Sequence, residues 1–377
     1  MSGLVVAALA LAIWLYLLAG RGLFWRTAVQ LPPLASPVSH GDLPRVVAVV
    51  PARDEADVLP RTLPTLLAQD YGGAFDVVVV DDASSDGTGD IARSLGARVI
   101  RTSGPPSGWV GKVAAMSAGV AAADDAQYLL FTDADISYPP DALTALVEAA
   151  TSHDLDLISQ MVRLRTVGFW ERLIVPAFVY FFAQLYPFSL VNRQRSRVAA
   201  AAGGCMLVKA DALNHAGGLA KIADALIDDV SLARLISNSS RRRIWLGLSA
   251  RIESVREYPR LADLWRMVSR SAYTQLSYSP RLLVGTVIGS LLVYAVPPAA
   301  TIAGAVSGSG SGAVFSVGLA AWLVMTATYL PMLRFYRLGS WRAPLLPVVA
   351  LLYAAMTIDS AWQHRRGRGG AWKGRTR

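Results

Sequence analysis

The sequence predicts an α/β domain bordered by membrane segments, and three observations support this prediction. Short Val-rich runs, such as VVAVV and DVVVVD, alternate with helical patterns in the middle of the chain. Uncharged apolar runs lie near both ends. Hydrophobic residues make up 53% of the 377 residues and charged residues only 17%, whereas a soluble domain carries roughly 25% charged residues. Disordered, collagen-like and disulfide-rich classes are therefore excluded.

Residues 1–26 are predicted to form an N-terminal membrane anchor. The run from Leu4 to Ala19 has no charged residue and is nearly long enough to span a bilayer. Basic residues follow this run, at Arg21 and Arg26, whereas a signal peptide carries its basic residues before the apolar run. The positive-inside bias then places the C-terminal end of the anchor in the cytoplasm.

The middle of the chain, residues 41–260, has the composition of a globular domain. The predicted strands are residues 45–51, 76–81, 97–101 and 127–132, and the predicted helices between them are residues 57–69 and 86–95. Strands that are apolar throughout and alternate with helices indicate a parallel sheet covered on both faces. Ligands bind such sheets at the carboxyl ends of the strands, so the residues after each strand are the candidates for a site.

Acidic residues follow three of the four predicted strands. The segments are Pro51 to Glu55 after the first strand, Asp81 with Asp82 after the second, and Asp133 with Asp135 after the fourth. A single Asp at a strand end is as often a cap or turn residue as a functional one, and Asp86 is expected to be a cap. Three acidic strand ends together repel one another and require a compensating cation or ligand.

The residue types at these strand ends indicate their chemistry. Asp133 and Asp135 form a D-x-D pair, which suits one Mg²⁺ or Mn²⁺ ion shared with substrate phosphates. Asp82 suits a hydrogen bond to a base or ribose, and Lys112 suits a phosphate contact, although a lone lysine is more often a surface residue. The sequence has neither a G-x-G-x-x-G fingerprint after the first strand nor a P-loop, which argues against a nicotinamide dehydrogenase and a P-loop ATPase.

A second group of candidate residues lies downstream. Gly203 to Lys209 is predicted to be a strand entered through a Gly pair, and a short helix, Ala210–His215, is predicted to follow it. Asp228 and Asp229 open the next predicted helix, and two explanations stay open. The helix dipole favours acids at this position, or one of the two acids is a general base. The single cysteine, Cys205, is expected to be a small buried residue.

The C-terminal part is predicted to be a membrane region, residues 282–363, preceded by an amphipathic interface segment, residues 261–281. Its apolar runs are residues 282–303, 313–333 and 343–358, with a flexible Gly/Ser turn between the first two. The third run contains Pro344 and Pro347, and its topology stays open. A full crossing puts the basic tail, residues 364–377, outside, whereas a re-entrant segment keeps it inside, where the positive-inside rule favours it.

Four ordered sequence blocks resemble family 2 glycosyltransferases with the GT-A fold, a nucleotide-diphospho-sugar transferase fold with a Rossmann-like mixed sheet. The blocks are PARDE, VVVVDDASSDGT, DAD and DDVSL, and they cover roughly residues 45–235. The wider pattern is similar to the membrane-bound hopene-associated glycosyltransferases, relatives of ceramide glucosyltransferase and of carotenoid glycosyltransferases. The N-terminal anchor, the segment GWVGK, the segment RSAYTQLSYSP and the terminal GRGGAWKGR carry this similarity, which implies transmembrane helices at both ends.

The resemblance assigns roles to individual residues. Asp229, with Asp228 beside it, matches the catalytic base, and Asp133 and Asp135 match the ligands of the metal and diphosphate. The residues that match the nucleotide-sugar pocket are Pro51, Arg53, Glu55, Asp81, Asp82, Lys112 and Asp133. Arg270 and Gln275 stand in the region of the family's Q/R-x-x-R-W motif, which is absent in its strict form, so a processive polysaccharide synthase is not favoured.

The resemblance also bears on the apolar stretch Leu173–Val191, which hydropathy alone would score as a span. Pro176 and Pro187 weaken that interpretation. A single crossing here would put Asp133 and Asp229, which belong to one site, on opposite sides of the membrane. We therefore predict that this stretch is interfacial, faces the bilayer and admits a lipid acceptor.

The function implied by the resemblance is that of a membrane-bound, metal-dependent inverting glycosyltransferase. It would transfer a sugar from a UDP-linked donor to a lipid acceptor, with a hopanoid as the suggested lipid. The expected location is a bacterial-type cytoplasmic membrane, with several crossings and a cytoplasmic catalytic domain. The alternatives are a polysaccharide-synthesising family 2 enzyme and a catalytically inactive membrane scaffold of the same fold. The net charge is +9, but its densest run is the tail beside apolar segments, so no nucleic-acid partner is expected.

Overall fold

The computed structural model describes residues 2–31, 43–239, 243–307 and 312–369. The chain divides into two compact units. The sheet unit comprises residues 28–165 and 190–257, and the helical unit comprises residues 1–27, 166–189 and 258–370. Most of the predicted Gly/Ser turn, residues 41 and 42 of the predicted globular domain, and residues 370–377 of the predicted basic tail lie outside the described residues.

The described elements follow the predicted alternation of strands and helices. The strands are β1 Val46–Ala52, β2 Phe75–Asp82, β3 Arg98–Thr102, β4 Tyr128–Phe131, β5 Ile136–Ser137, β6 Leu157–Arg163, β7 Met206–Lys209 and β8 Ile244–Ser254. The helices are α1 Ser2–Ala19, α2 Leu59–Leu67, α3 Thr88–Ser94, α4 Gly111–Ala121, α5 Ala142–Ser152, α6 Phe169–Leu185, α7 Phe188–Val191, α8 Ala210–His215, α9 Asp228–Ser239, α10 Leu261–Ser269, α11 Ala272–Gln275, α12 Pro280–Ser290, α13 Val296–Val306, α14 Gly312–Phe335 and α15 Leu346–Arg365.

The sheet unit is built on one mixed sheet with the strand order β3-β2-β1-β4-β7-β6-β8-β5. The first four strands in this order are parallel, which confirms the parallel βαβ part of the prediction. β7 then runs antiparallel between β4 and β6, and β8 is parallel to β6. The carboxyl ends of β1, β2 and β4 therefore share one edge with the beginning of β7.

Both faces of this sheet are covered, as the Val-rich strands require. Alternate residues of β1, such as Val46, Ala48 and Val50, belong to one apolar core together with buried residues of α2 and α5. On the other face α4 approaches β1 so closely that a Cβ on Gly119 would lie 2.3 Å from Val49 Cγ1. A glycine is thus required where this helix crosses the sheet.

The helical unit is dominated by apolar helices. Among the described residues, four stretches are long and apolar enough to cross a membrane: Phe169–Val191, Pro280–Val306, Gly312–Phe335 and Ser340–Arg365. The N-terminal α1 is a shorter apolar helix. The stretch from Pro280 to Val306 is continuous, because a π-helical segment, Leu291–Ala295, joins α12 to α13. The stretch Ser340–Arg365 consists of a 3₁₀ turn, Ser340–Leu345, followed by α15.

Candidate active site

The acidic strand ends predicted from the sequence meet at one edge of the sheet unit. Asp133 follows β4, and Asp82 ends β2, which pairs in parallel with β1. β7 pairs antiparallel with β4, with Phe131 opposite Met206. This register brings Gly203, which precedes β7, to the same edge as Asp133.

A buried lysine connects the acids of two distant segments. The Lys112 ammonium, in the first turn of α4, lies 2.8 Å from Asp133 Oδ1 and 3.1 Å from Asp228 Oδ2. Asp229 Oδ2 accepts a hydrogen bond of 3.0 Å from the backbone N–H of Gly203. The structure therefore brings together the D-x-D segment, the acid pair at the start of α9 and the Gly pair before β7.

Burial and charge set the protonation of this cluster. Burial and, to a smaller extent, the neighbouring Asp228 raise the pKa of Asp229 to about 6, against the opposing effect of Lys112. Burial also raises the pKa of Asp133, although Lys112 acts in the opposite direction. For Lys112 burial lowers the pKa, but Asp133 and Asp228 outweigh it, so the pKa is raised well above its usual range and the side chain is a cation.

Asp135 is held differently from Asp133. Asp135 Oδ2 accepts a hydrogen bond from Ser254 Oγ at 2.5 Å and lies 3.4 Å from Arg256 Nε. The Arg256 guanidinium also donates to both carboxylate oxygens of Glu55 at 2.8 Å. Glu55 is buried, so this arginine neutralises two acids from two strand ends at once.

The end of β2 is also held by a cation and a hydroxyl. Arg53 donates to the backbone carbonyl of Asp82 at 2.6 Å and lies 3.8 Å from its Oδ2. Thr102 Oγ1 donates to Asp82 Oδ1 at 3.0 Å. Asp81 Oδ1 instead accepts from the backbone N–H of Ser84 at 2.9 Å. Asp81 thus stabilises the turn after β2, whereas Asp82 lies beside Arg53.

The expected cap residue and the remaining predicted residues also have defined places. Asp86 Oδ1 accepts from the backbone N–H of Thr88 at 3.0 Å, but the N-cap of α3 is Gly87, without a side-chain cap hydrogen bond, so Asp86 stabilises the turn before the helix. Pro51 is buried within β1, so it shapes the strand end. Arg270 and Gln275 belong to the helical unit, where Gln275 Nε2 donates to the Tyr186 hydroxyl.

The residues around Lys112 fit a small oxygen-liganded divalent cation. A Cβ on Gly203 would lie 3.1 Å from the Lys112 ammonium and 3.5 Å from Asp229 Oδ2, so the glycine keeps this space open. Within the described residues, Asp228 Oδ2 is buried and has no hydrogen bond. No group of three or more His, Cys, Asp or Glu side chains is arranged around a common point in the described part of the chain. A Mg²⁺ site of one or two carboxylates completed by substrate phosphates is the arrangement compatible with this.

Sequence reasoning did not assign a role to three residues that contact the site acids. Thr102, Ser254 and Arg256 come from strand ends or from the residues after them, and each contacts an acid far away in the chain. Gly203 was recognised only as the entrance to a strand. The Gly pair before a strand was the sequence feature that could have indicated a close approach to the site. Only the antiparallel position of β7 shows that Gly203 lies beside Asp229.

The sheet and its acidic edge define a domain with the GT-A type of fold. Residues 47–217 match the family Glycosyl transferase family 2. The fold is similar to that of the solved mannosyltransferase PcManGT from Pyrobaculum calidifontis in complex with GDP-Man and Mn²⁺, with a TM-score of 0.59 and 18% identity, over 94% of this chain and 99% of that chain.

Two known proteins are similar in sequence. A 4,4'-diaponeurosporenoate glycosyltransferase from Staphylococcus haemolyticus is 34% identical over 28% of this chain and 28% of its own length. An undecaprenyl-phosphate mannosyltransferase from Micrococcus luteus is 36% identical over 31% of this chain and 49% of its own length. The chain thus spans half or less of the length of each of these relatives.

Proposed function

We propose that the chain is a membrane-bound inverting glycosyltransferase that moves a sugar from a nucleotide-sugar to a lipid acceptor. The observation that carries this proposal is the meeting of Asp133, Lys112 and Asp229 at the carboxyl edge of a sheet in a region that matches glycosyl transferase family 2. Clusters of acids with a raised pKa beside a fixed cation are typical of catalytic sites.

The proposed mechanism uses Asp229 as the general base. Asp229 accepts the proton of the acceptor hydroxyl, whose oxygen attacks the anomeric carbon from the face opposite the diphosphate. The new carbon–oxygen bond forms as the bond to the diphosphate breaks, so the configuration inverts. The backbone N–H groups of Gly203 and Val230 each donate to one carboxylate oxygen of Asp229, and a remaining lone pair of the carboxylate accepts the proton.

Cations of the site would stabilise the leaving diphosphate. A Mg²⁺ or Mn²⁺ ion held by Asp133 and Asp135 would neutralise charge on the diphosphate. Lys112 provides a further positive charge, since its ammonium already lies among the acids of the site. Arg53 and Asp82 lie at the end of β2, where we propose that they contact the nucleoside.

The two sequence relatives support a lipid acceptor, because both are named for lipids, diaponeurosporenoate and undecaprenyl phosphate. A hopanoid or other polycyclic lipid is the acceptor class that the family resemblance suggests. The bacterial cytoplasmic membrane, a cytoplasmic catalytic unit and apolar helices that cross the membrane complete the proposal. The described apolar helices supply stretches of sufficient length for such crossings.

The contacts of α6 support the proposal that residues 173–191 are interfacial. Near its N-terminus, Glu171 Oε1 accepts from the backbone N–H of Tyr258 at 2.8 Å. Just beyond its C-terminus, the Tyr186 hydroxyl accepts from Gln275. Tyr258 and Gln275 bracket the short segment before α12. Both ends of α6 are thus tied to one segment, as expected for a helix that lies along one side of the membrane. Gln184 Oε1 of α6 also accepts from the Tyr294 hydroxyl at 2.7 Å, so this helix packs against the apolar stretch Pro280–Val306 as well.

The test is a donor screen with the purified full-length chain in detergent, with and without Mn²⁺. UDP-sugars are tested beside GDP-mannose, because the solved protein of similar fold holds GDP-Man and Mn²⁺. We expect metal-dependent transfer or donor hydrolysis that Asp135→Ala and Asp229→Asn abolish. Asp124→Ala, which removes an exposed acid of the same unit, is the matched control. Undiminished activity in Asp135→Ala would show that the assigned metal site is wrong.

A further inference from the structure

Two apolar stretches of the helical unit form an antiparallel hairpin. Positions along this hairpin indicate how deep the residues that contact it lie in the bilayer. A Cβ on Gly304 of α13 would lie 2.6 Å from the backbone of Phe315, and a Cβ on Gly318 would lie 2.8 Å from the backbone of Thr301. α13 and α14 therefore run in opposite directions in close contact. Since Pro280–Val306 and α14 are both long enough to cross a bilayer, the beginning of α12 and the end of α14 lie on the same side.

The C-terminal end of α15 lies on that same side. Trp265 Nε1 donates to Asp359 Oδ2 at 2.8 Å, and the backbone N–H of Tyr273 donates to Ser360 Oγ at 3.0 Å. The ring of His364 stacks on Tyr278 with 4.3 Å between the ring centres. These three partners all precede α12 in the chain, so the end of α15 is tied to the segment from which α12 departs.

The beginning of α15 lies at the middle of the hairpin instead. Trp322, near the centre of α14, donates from Nε1 to the carbonyl of Pro344 at 3.2 Å. α15 also packs against the π-helical segment Leu291–Ala295, which lies at the centre of the other stretch. The chain thus turns back after Phe335, reaches the middle of the hairpin at Pro344 and leaves again along α15.

Protein covers part of this turn, whereas Pro344 and Leu345 are exposed. Non-helical backbone is tolerated within a bilayer only where protein covers it. Ala343 and Leu346 are fully buried, and Pro347 is buried as well. Pro344 and Pro347 also lack backbone N–H groups, which reduces the number of donors to be satisfied at the turn.

A charged and an aromatic residue mark the place where the C-terminal end of this segment meets the membrane surface. The guanidinium of Arg366 lies 4.6 Å from the centre of the Trp362 ring. At the turn, the guanidinium of Arg342 lies 4.2 Å from the centre of the Trp341 ring. Trp341 is 64% exposed and Trp362 is 54% exposed. Tryptophan is enriched at membrane interfaces, and arginine binds phosphate through paired hydrogen bonds.

We propose that residues 340–365 form a re-entrant segment that enters and leaves the bilayer through the leaflet at the end of α14. At its C-terminal end, Trp362 with Arg366 binds anionic phospholipid headgroups of that leaflet. The described basic residues Arg334, Arg365, Arg366 and Arg368 then lie on one side, as the positive-inside rule favours. A crossing helix would place Arg334 and Arg368 on opposite sides.

The topology is tested by cysteine labelling of the full chain in sealed membrane vesicles. The single, buried Cys205 is first replaced in Cys205→Ala, and Arg334→Cys, Arg368→Cys and Ser307→Cys are introduced one at a time. We expect a membrane-impermeant maleimide to label positions 334 and 368 from the same side and position 307 from the other. Labelling of position 368 from the side of position 307 would show that the segment crosses, which would overturn the proposal.

The headgroup contacts are tested by lipid retention. The full chain is incorporated into bilayers of phosphatidylcholine and phosphatidylglycerol, and the phosphatidylglycerol that remains bound after detergent extraction is quantified. An arginine near an anionic surface favours binding about fivefold, so Arg366→Gln should lower retention by about that factor. Arg93→Gln, an equal charge change in the sheet unit, is the control. Equal retention in both variants would contradict the headgroup site.

Discussion

Lys112→Met is the perturbation that most directly tests how the acidic site is held together. The ammonium contacts Asp133 and Asp228 at 2.8 and 3.1 Å, and the exposed fractions of the three side chains are 16%, 37% and 11%. Removing one partner from a buried ion pair costs about 3–5 kcal/mol. Because Asp133 is partly exposed, solvent screens its charge, and we expect the variant to lose about 2–4 kcal/mol.

This loss is measurable as a shift of the thermal midpoint in detergent. Each kcal/mol lowers Tm by roughly 2–4 °C in a domain of about 150–250 residues, so Lys112→Met should unfold about 4–16 °C below the unmodified chain. The matched control is Lys209→Met. The Lys209 ammonium lies 3.9 Å from Asp154 with 37% and 65% side-chain exposure, and such an exposed pair contributes no more than about 1 kcal/mol.

Adding Mn²⁺ gives a second test on the same variant. If Asp133 is a cation ligand, Mn²⁺ takes over the role of the missing ammonium and should raise the Tm of Lys112→Met more than that of the unmodified chain. Asp133→Asn in the Lys112→Met background should remove this gain. A Tm for Lys112→Met no lower than that of Lys209→Met would refute the conclusion that Lys112 compensates the buried acids.

Three further predictions concern the sheet unit. The pKa of Asp229 is raised to about 6, and only the carboxylate accepts a proton, so kcat should fall as the pH is lowered through about 6. A kcat that does not change between about pH 5 and 8 would contradict the role of Asp229 as base. Gly119→Ala should cost about 1–3 kcal/mol by overpacking, because the new Cβ meets Val49 Cγ1 at 2.3 Å, whereas at Gly285 nothing lies within 4 Å and Gly285→Ala should have little effect on thermal unfolding. Arg256→Met should lower Tm clearly more than Arg251→Met, because Arg256 pairs with the buried Glu55. Arg251 pairs with Asp141, and the exposed fractions of these two side chains are 63% and 55%. Equal Tm shifts of the two variants would refute this ranking.

The parallel half of the fold was predictable because burial on both faces leaves a local signature. The run DVVVVD predicted a strand over residues 76–81, and β2 is Phe75–Asp82. The helix predicted after Lys209 has the same bounds as α8. The direction of a strand leaves no such local signature, so the antiparallel insertion of β7 between β4 and β6 followed only from the structure.

The acids of the site were predictable from the sequence, whereas most of the side chains that contact them were not. Asp133 and Asp229 were each recognisable from their local blocks. Lys112 is the residue that joins them, although a lone lysine has no sequence pattern that indicates burial. Ser254 could not be assigned, because its contact with Asp135 depends on pairing between β5 and β8, where Ile136 lies opposite Ser254.

The arrangement of cations explains how three acidic strand ends share one edge. Arg53 lies beside Asp82, Arg256 beside Glu55 and Asp135, and Lys112 beside Asp133 and Asp228; thus each group of acids has its own cation from another segment. Like charges at such close range cannot all remain ionised without compensation. The cations are also suitably placed for an incoming diphosphate, which brings further negative charge to the edge.

Of the D-x-D pair, Asp133 has the more exposed carboxylate, at 37% against 11% for Asp135. Asp133 is therefore the acid that can exchange its ammonium partner for a divalent cation at the smaller cost, while Ser254 and Arg256 keep Asp135 in position.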